Sequence, residues 1–246
     1  MSGVGAIEVR CASVFLLLLS WAASAQTQGS ERVEPARWRQ GGVPEVAALA
    51  VSGGQVFLEV VVSPAGRVRL VTPLRTTQGF TDGIVAAVKA WTFQAATRIT
   101  DPPEGLRVPK IEPIESRVLV AAIIRPPVLV GPTIGAVPAD VAKASSETVY
   151  PISVKTPGFP PQAIAAGTVL VDATVDGNGR VIDATVLRSS PPFDGPALDA
   201  TRGWSFSPAS IGGTPVTTHA YLIYVFAQPI TTQRKPGGIG PLQPGW

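Results

Sequence analysis

The side chains best suited to chemistry are few. His219 is the only histidine and Cys11 the only cysteine. A histidine working as a general base needs a nucleophile within hydrogen-bond reach and an acid to orient its ring. No Gly-x-Ser-x-Gly, P-loop or dinucleotide-binding pattern supplies such partners. A lone histidine without cysteine also falls short of the usual zinc ligand set. Asp176-Gly177-Asn178-Gly179 opens like a calcium loop, but Arg180 stands at the next ligand position and Leu187 at that of the closing glutamate. The pairs Trp91/Phe93 and Trp204/Phe206 would make a ligand platform if exposed, yet they end a helical apolar stripe, which assigns them to a core. The inventory predicts a protein that is not an enzyme, with no metal and no cofactor, in which His219 has a structural or surface place.

Charge excludes a further class. The formal net charge is +3, but the basic residues are scattered. Between Tyr150 and Pro229, Lys155, Arg180, Arg188 and Arg202 are outnumbered by Asp172, Asp176, Asp183, Asp194 and Asp199. A nucleic-acid module would carry a basic stripe, so no nucleic-acid partner is expected.

At the N-terminus, Arg10 precedes a mostly apolar run from Val14 to Trp21, and Ala23-Ser24-Ala25 stands before Gln26. This is the pattern of a secretory signal with its cleavage site, predicting a signal peptide over 1–25 and a periplasmic protein. The alternative is an uncleaved inner-membrane anchor, but Ala12–Ala25 falls short of the roughly 20 residues that a spanning helix needs. Cys11 does not follow a lipidation motif. No later segment reaches spanning length, so no transmembrane segment is expected in the mature chain.

The positioning elements emerge from an internal repeat. At a constant offset, that between Trp91 and Trp204, the residues Gly54, Val62, Gly66-Arg67-Val68, Thr72, Leu74-Arg75, Phe80, Ala87, Trp91, Phe93 and Ala96 fall on Gly167, Val175, Gly179-Arg180-Val181, Thr185, Leu187-Arg188, Phe193, Ala200, Trp204, Phe206 and Ala209. Within each copy, alternating apolar residues predict a strand, a Gly-containing tight turn (63–66 and 176–179) predicts a hairpin, and a second strand follows. A helix with Asp82 or Asp194 near its start carries the stripes Ile84, Ala87, Val88, Trp91 and Ala197, Ala200, Thr201, Trp204. A last strand closes each copy, over 117–124 and 216–227. The predicted fold class is α+β: two small modules, each a three-stranded antiparallel sheet covered by one helix in the order β-β-α-β. The expected organisation is a first module over 26–125, a Pro-rich linker over 126–149, a second module over 150–228 and a disordered tail over 229–246.

The second copy resembles the C-terminal domain of TonB and related energy transducers. Tyr150-Pro151 at the entry, Gly167, Asp176-Gly177 with Gly179-Arg180-Val181, Ser189 to Asp194 including Phe193, Trp204-Ser205-Phe206, Gly213 and Phe226 carry the likeness in order and spacing. The first copy, with Gly66, Phe80, Trp91 and Phe93, resembles a diverged member. The resemblance implies binding of peptide segments of envelope partners, such as outer-membrane receptors, by strand addition along the last strand, where Thr217, His219, Tyr221, Ile223 and Val225 would lie at an open edge. Family members act through an N-terminal anchor and a long Pro-rich spacer. Loss of the N-terminus on export and the lack of such a spacer favour a free periplasmic binding protein over an anchored transducer. The remaining alternative is a structural envelope protein whose modules bury each other's edges in a homodimer.

Overall fold

The computed structural model describes residues 31–44, 53–102, 108–126, 131–137 and 144–227. The expected signal peptide, the whole of the expected tail and part of the expected linker lie outside the described residues. The first half contains β1 (Glu31–Glu34), β2 (Arg37–Gln40), β3 (Gly54–Val62), β4 (Val68–Arg75), α1 (Thr81–Lys89), β5 (Thr92–Gln94), β6 (Ala96–Thr100), β7 (Lys110–Ile114) and β8 (Ser116–Arg125). After β9 (Thr133–Ala136), the second half runs β10 (Tyr150–Thr156), β11 (Gly167–Val175), β12 (Val181–Arg188), α2 (Asp194–Arg202), β13 (Ser205–Ser207), β14 (Ala209–Ile211), β15 (Thr214–Val216) and β16 (Thr218–Phe226).

The two halves do not form separate three-stranded modules. Their strands join in one six-stranded sheet of order β12-β11-β16-β8-β3-β4. Each half contributes an antiparallel trio, and the trios meet where β16 pairs with β8 in parallel, from Ala220 opposite Leu119 to Phe226 opposite Arg125. The expected pair of modules, each with a sheet of its own, is corrected on this point. The molecule is a single α+β domain with four smaller sheets around the large one. Residues expected to be linker also take part, since β9 pairs with β10.

The physical reason lies in the side chains of the two middle strands. Along β8, Val118, Val120, Ala122 and Ile124 enter one core with Ile84 and Val88 of α1, whereas Leu119, Ala121 and Ile123 enter another with Ala197 and Ala200 of α2. Along β16, Tyr221, Ile223 and Val225 join the first core, and Ala220, Leu222, Tyr224 and Phe226 the second. One helix therefore covers each face. Strands this apolar on both sides are stable only with both faces covered; a three-stranded module with one helix would leave one of these rows in water.

Within each half, the local wiring recurs at the offset of the sequence repeat. The N–H of Phe93 donates to the carbonyl of Gly66, and that of Phe206 to Gly179, at 2.8 and 2.9 Å. Trp38 pairs with Phe93 and Pro151 with Phe206, each followed by a register shift. Trp91 donates its indole N–H to the carbonyl of Gly42 at 2.7 Å, and Trp204 to that of Lys155 at 2.9 Å. The two tryptophans are both buried and end matching helices. The sequence suggests aspartate caps from Asp82 and Asp194, but neither helix has a side-chain cap. Phe80 and Phe193 hold the cap positions, and the first helical residue instead braces the preceding turn: Thr81 Oγ1 accepts from the N–H of Thr77 and Asp194 Oδ1 from that of Ser190.

Gly66 and Gly179 adopt φ of +74° and +77°, and a Cβ at either would collide with the carbonyl oxygen of Phe93 or Phe206. Both the positive φ and the close approach require glycine. Gly66→Ala and Gly179→Ala should each destabilise by more than about 1 kcal/mol, read as a lower urea midpoint. Because both hairpins feed one sheet, each variant should still unfold in one transition.

Candidate functional site

The strand expected to be an open edge is the third of six. From Ala220 onward its backbone is paired with β11 on one side and β8 on the other. Tyr221, Ile223 and Val225 are buried in the first core, His219 is 7% exposed, and only Thr217, just before the strand, is exposed. The expected docking row is therefore corrected: the first half of the chain already occupies the edge that the resemblance implies would take a peptide. Tyr221 is pinned by both partners of its hydroxyl, which accepts the N–H of Trp38 at 2.8 Å and donates to the carbonyl of Ala36 at 3.2 Å. Burial pushes its phenol well above the ordinary value, and the nearby Asp172 charge adds to this; the Trp38 N–H and Arg37 act in the opposite sense.

Beside Tyr221 lies a pair that sequence reasoning treats only residue by residue. His219 Nδ1 is 2.8 Å from Asp172 Oδ1, with side chains 8% and 18% exposed. The equivalent place in the first half holds Glu59 and Arg117, with Arg117 Nη1 donating to Glu59 Oε1 at 2.9 Å. The match is one of register. Glu59 faces Leu119 on β8 and Thr72 on β4, as Asp172 faces Tyr221 on β16 and Thr185 on β12.

The surroundings of the two pairs differ. The turn over Ser145–Thr148 crosses from the second half onto Glu59, whose Oε2 accepts the backbone N–H of Ser145 at 2.8 Å and the Thr148 hydroxyl at 3.0 Å. Burial alone would raise the Glu59 carboxyl; the donors Ser145 and Thr148, with Arg117, outweigh it and hold the group below its ordinary 4.5. In the second half the equivalent surface, on the opposite face of the sheet, opens into a cleft of about 1010 Å³. Its floor is Asp172, Thr174, Thr185 and His219, and β1 with Pro35 forms its wall. No hydrogen bond among the described residues joins that wall to Asp172.

The hairpin at 176–179 is structural. Asp176 Oδ1 accepts the N–H groups of Asn178 and Arg180, both at 2.9 Å. The Arg180 N–H holds this carboxyl below its ordinary value; burial opposes it, and the Asn178 donors add to the lowering. Among the described residues no group of three or more His, Cys, Asp or Glu side chains is placed to hold a metal ion. No helix of the described residues is long and apolar enough to cross a membrane.

With β16 enclosed, the outer strands of the large sheet are β4 and β12. Pro73 lies within β4 and removes an N–H donor there. β12 carries no proline, and its Ile182 is 60% exposed.

The described residues thus combine a large sheet with a helix on each face, two braced glycine hairpins and a Trp-x-Phe strand after each helix. Residues 155–227 match the family described as the C-terminal domain of the Gram-negative bacterial TonB protein. The matched segment runs from β10 to the end of β16 and includes Gly179, Phe193, Trp204 and Phe206. No curated protein matches the chain.

Two outcomes test this geometry. Tyr221→Phe removes the partner of a buried N–H and of a carbonyl, and should cost about 1–3 kcal/mol in denaturant unfolding. The Glu59 carboxyl is depressed in the folded state, so its stabilising effect is complete above the unfolded value and fades as pH falls below about 4.5. Glu59→Gln should therefore weaken the acid dependence of the urea midpoint in that range.

Proposed function

We propose that this chain is an exported, non-catalytic envelope protein that binds extended peptide segments of other envelope proteins, and that residues 26–125 are a diverged copy of the TonB C-terminal module. The shared wiring of the two halves supports the second statement: the same turn, the same helix bracing and the same indole-to-carbonyl bond recur at one offset. The secretory pattern over 1–25 and the family match over 155–227 support the envelope setting.

The observation that carries the binding reading is the outer edge at Val181–Arg188. Its inner side pairs with β11, and among the described residues no strand lies on its outer side. A strand in this position presents main-chain donors and acceptors to a further strand. This moves the docking edge away from the residues that the resemblance implies, because the fused first copy fills that edge. The protein would act as a binding partner or adaptor, with no force passed through its own N-terminus.

Titration of the labelled mature protein with extended peptides from the periplasm-facing termini of outer-membrane receptors tests the reading. The expected result is slower exchange and shifted amide resonances confined to Val181–Arg188. Ile182→Lys should weaken binding about fivefold, since charge at an edge opposes strand pairing. Unchanged amides along β12 at saturating peptide would refute it.

A further inference from the structure

The two halves supply an internal comparison that assigns a role to the cleft over Asp172 and His219. In the first half, the carboxylate at this register receives a backbone N–H and a threonine hydroxyl from a Ser-x-x-Thr turn, while a basic side chain holds its other oxygen. In the second half the basic partner is present, with His219 on Asp172 Oδ1, but no described residue donates to Oδ2. The crossing segment here is β1 with Pro35, and it is committed elsewhere. Glu31 is paired with Arg98 and Arg32 with Asp101, and the strand bonds to β6. Pro35, at the repeat position of Thr148, has no hydroxyl to offer.

The floor has changed in the matching sense. Where the first half has the buried Val61, the second has Thr174, which lines the cleft. A sealed site favours an apolar residue at this position, whereas a site that exchanges a polar occupant with water does not need one. The geometry points to this cleft as a second docking site, which takes a Ser-x-x-Thr turn of a partner polypeptide: a backbone N–H and a threonine hydroxyl converge on Asp172 Oδ2, as Ser145 and Thr148 converge on Glu59. The site goes beyond the strand edge at Val181–Arg188 and uses a different face of the sheet. Two such bonds to a partly buried carboxylate orient a turn, and charge assistance makes them stronger than neutral ones.

The test uses the full mature protein and a synthetic peptide with the sequence of residues 144–150, Ala-Ser-Ser-Glu-Thr-Val-Tyr. His219 is the only histidine, so its ring gives one set of resonances that reports on the cleft. The expected result is a saturable shift of these resonances. Affinity should fall about tenfold, equivalent to 1.4 kcal/mol, when the peptide threonine is replaced by valine and again when Asp172→Asn is introduced. Thr185→Arg, at an exposed position on the cleft floor, should block binding with the thermal midpoint unchanged, which separates loss of the site from loss of the fold. A His219 ring that does not move, or a shift that survives both the peptide valine and Thr185→Arg, would overturn the inference. A response limited to the amides of β12 would also overturn it while supporting the strand-edge reading.

Discussion

The structure depends on one interface, the parallel ladder between Ser116–Arg125 and Thr218–Phe226. Parallel pairing of equivalent strands places the approximate twofold relation between the halves in the plane of the sheet, along the strands. The faces are thereby exchanged, so α1 covers one side and α2 the other. Every residue of the central ladder is then covered from above or below, which is the condition that its apolar side chains impose. The same arrangement sends the Ser145–Thr148 turn onto the first half and the β1 arm onto the second.

Closing this interface has a functional consequence. An exposed, flat, apolar strand pairs with any chain that can offer an edge, and here the first half is that chain. What stays open is the outer edge at β12 and the cleft on the face that α2 does not cover, where we place the proposed docking sites. The two halves have diverged where the arms land: Glu59 is saturated with donors and Arg117, whereas Asp172 and His219 face open space.

Much of this was legible in the sequence, and the part that was not has a physical origin. The glycines of the two hairpins, the burial of the Trp/Phe pairs and the strand-hairpin-strand-helix order follow from turn chemistry and periodicity, which are local; the short strands Thr92–Gln94 and Ser205–Ser207 were not foreseen. Assembly of the halves is not local. Its signal was present in His219-Ala220-Tyr221-Leu222-Ile223-Tyr224-Val225-Phe226, a run with no polar alternation after its first residue. A strand with one wet face alternates, and this one does not, so the run marks a central strand and argues against an edge. The Asp172–His219 pair was harder to find, because the partners lie on different strands and only the pairing register brings them together. The alignment of Asp172 with Glu59 under the repeat was its one trace.

The central claim is that β16 is an interior strand held by β8. Native-state hydrogen exchange measured residue by residue tests it most directly. The account predicts that the amides of Leu119–Arg125 and of Ala220–Phe226 exchange at one common rate, set by global unfolding, with no alternation along either strand. Fast exchange at every second amide of Ala220–Phe226, the mark of a strand bonded on one side only, would contradict it.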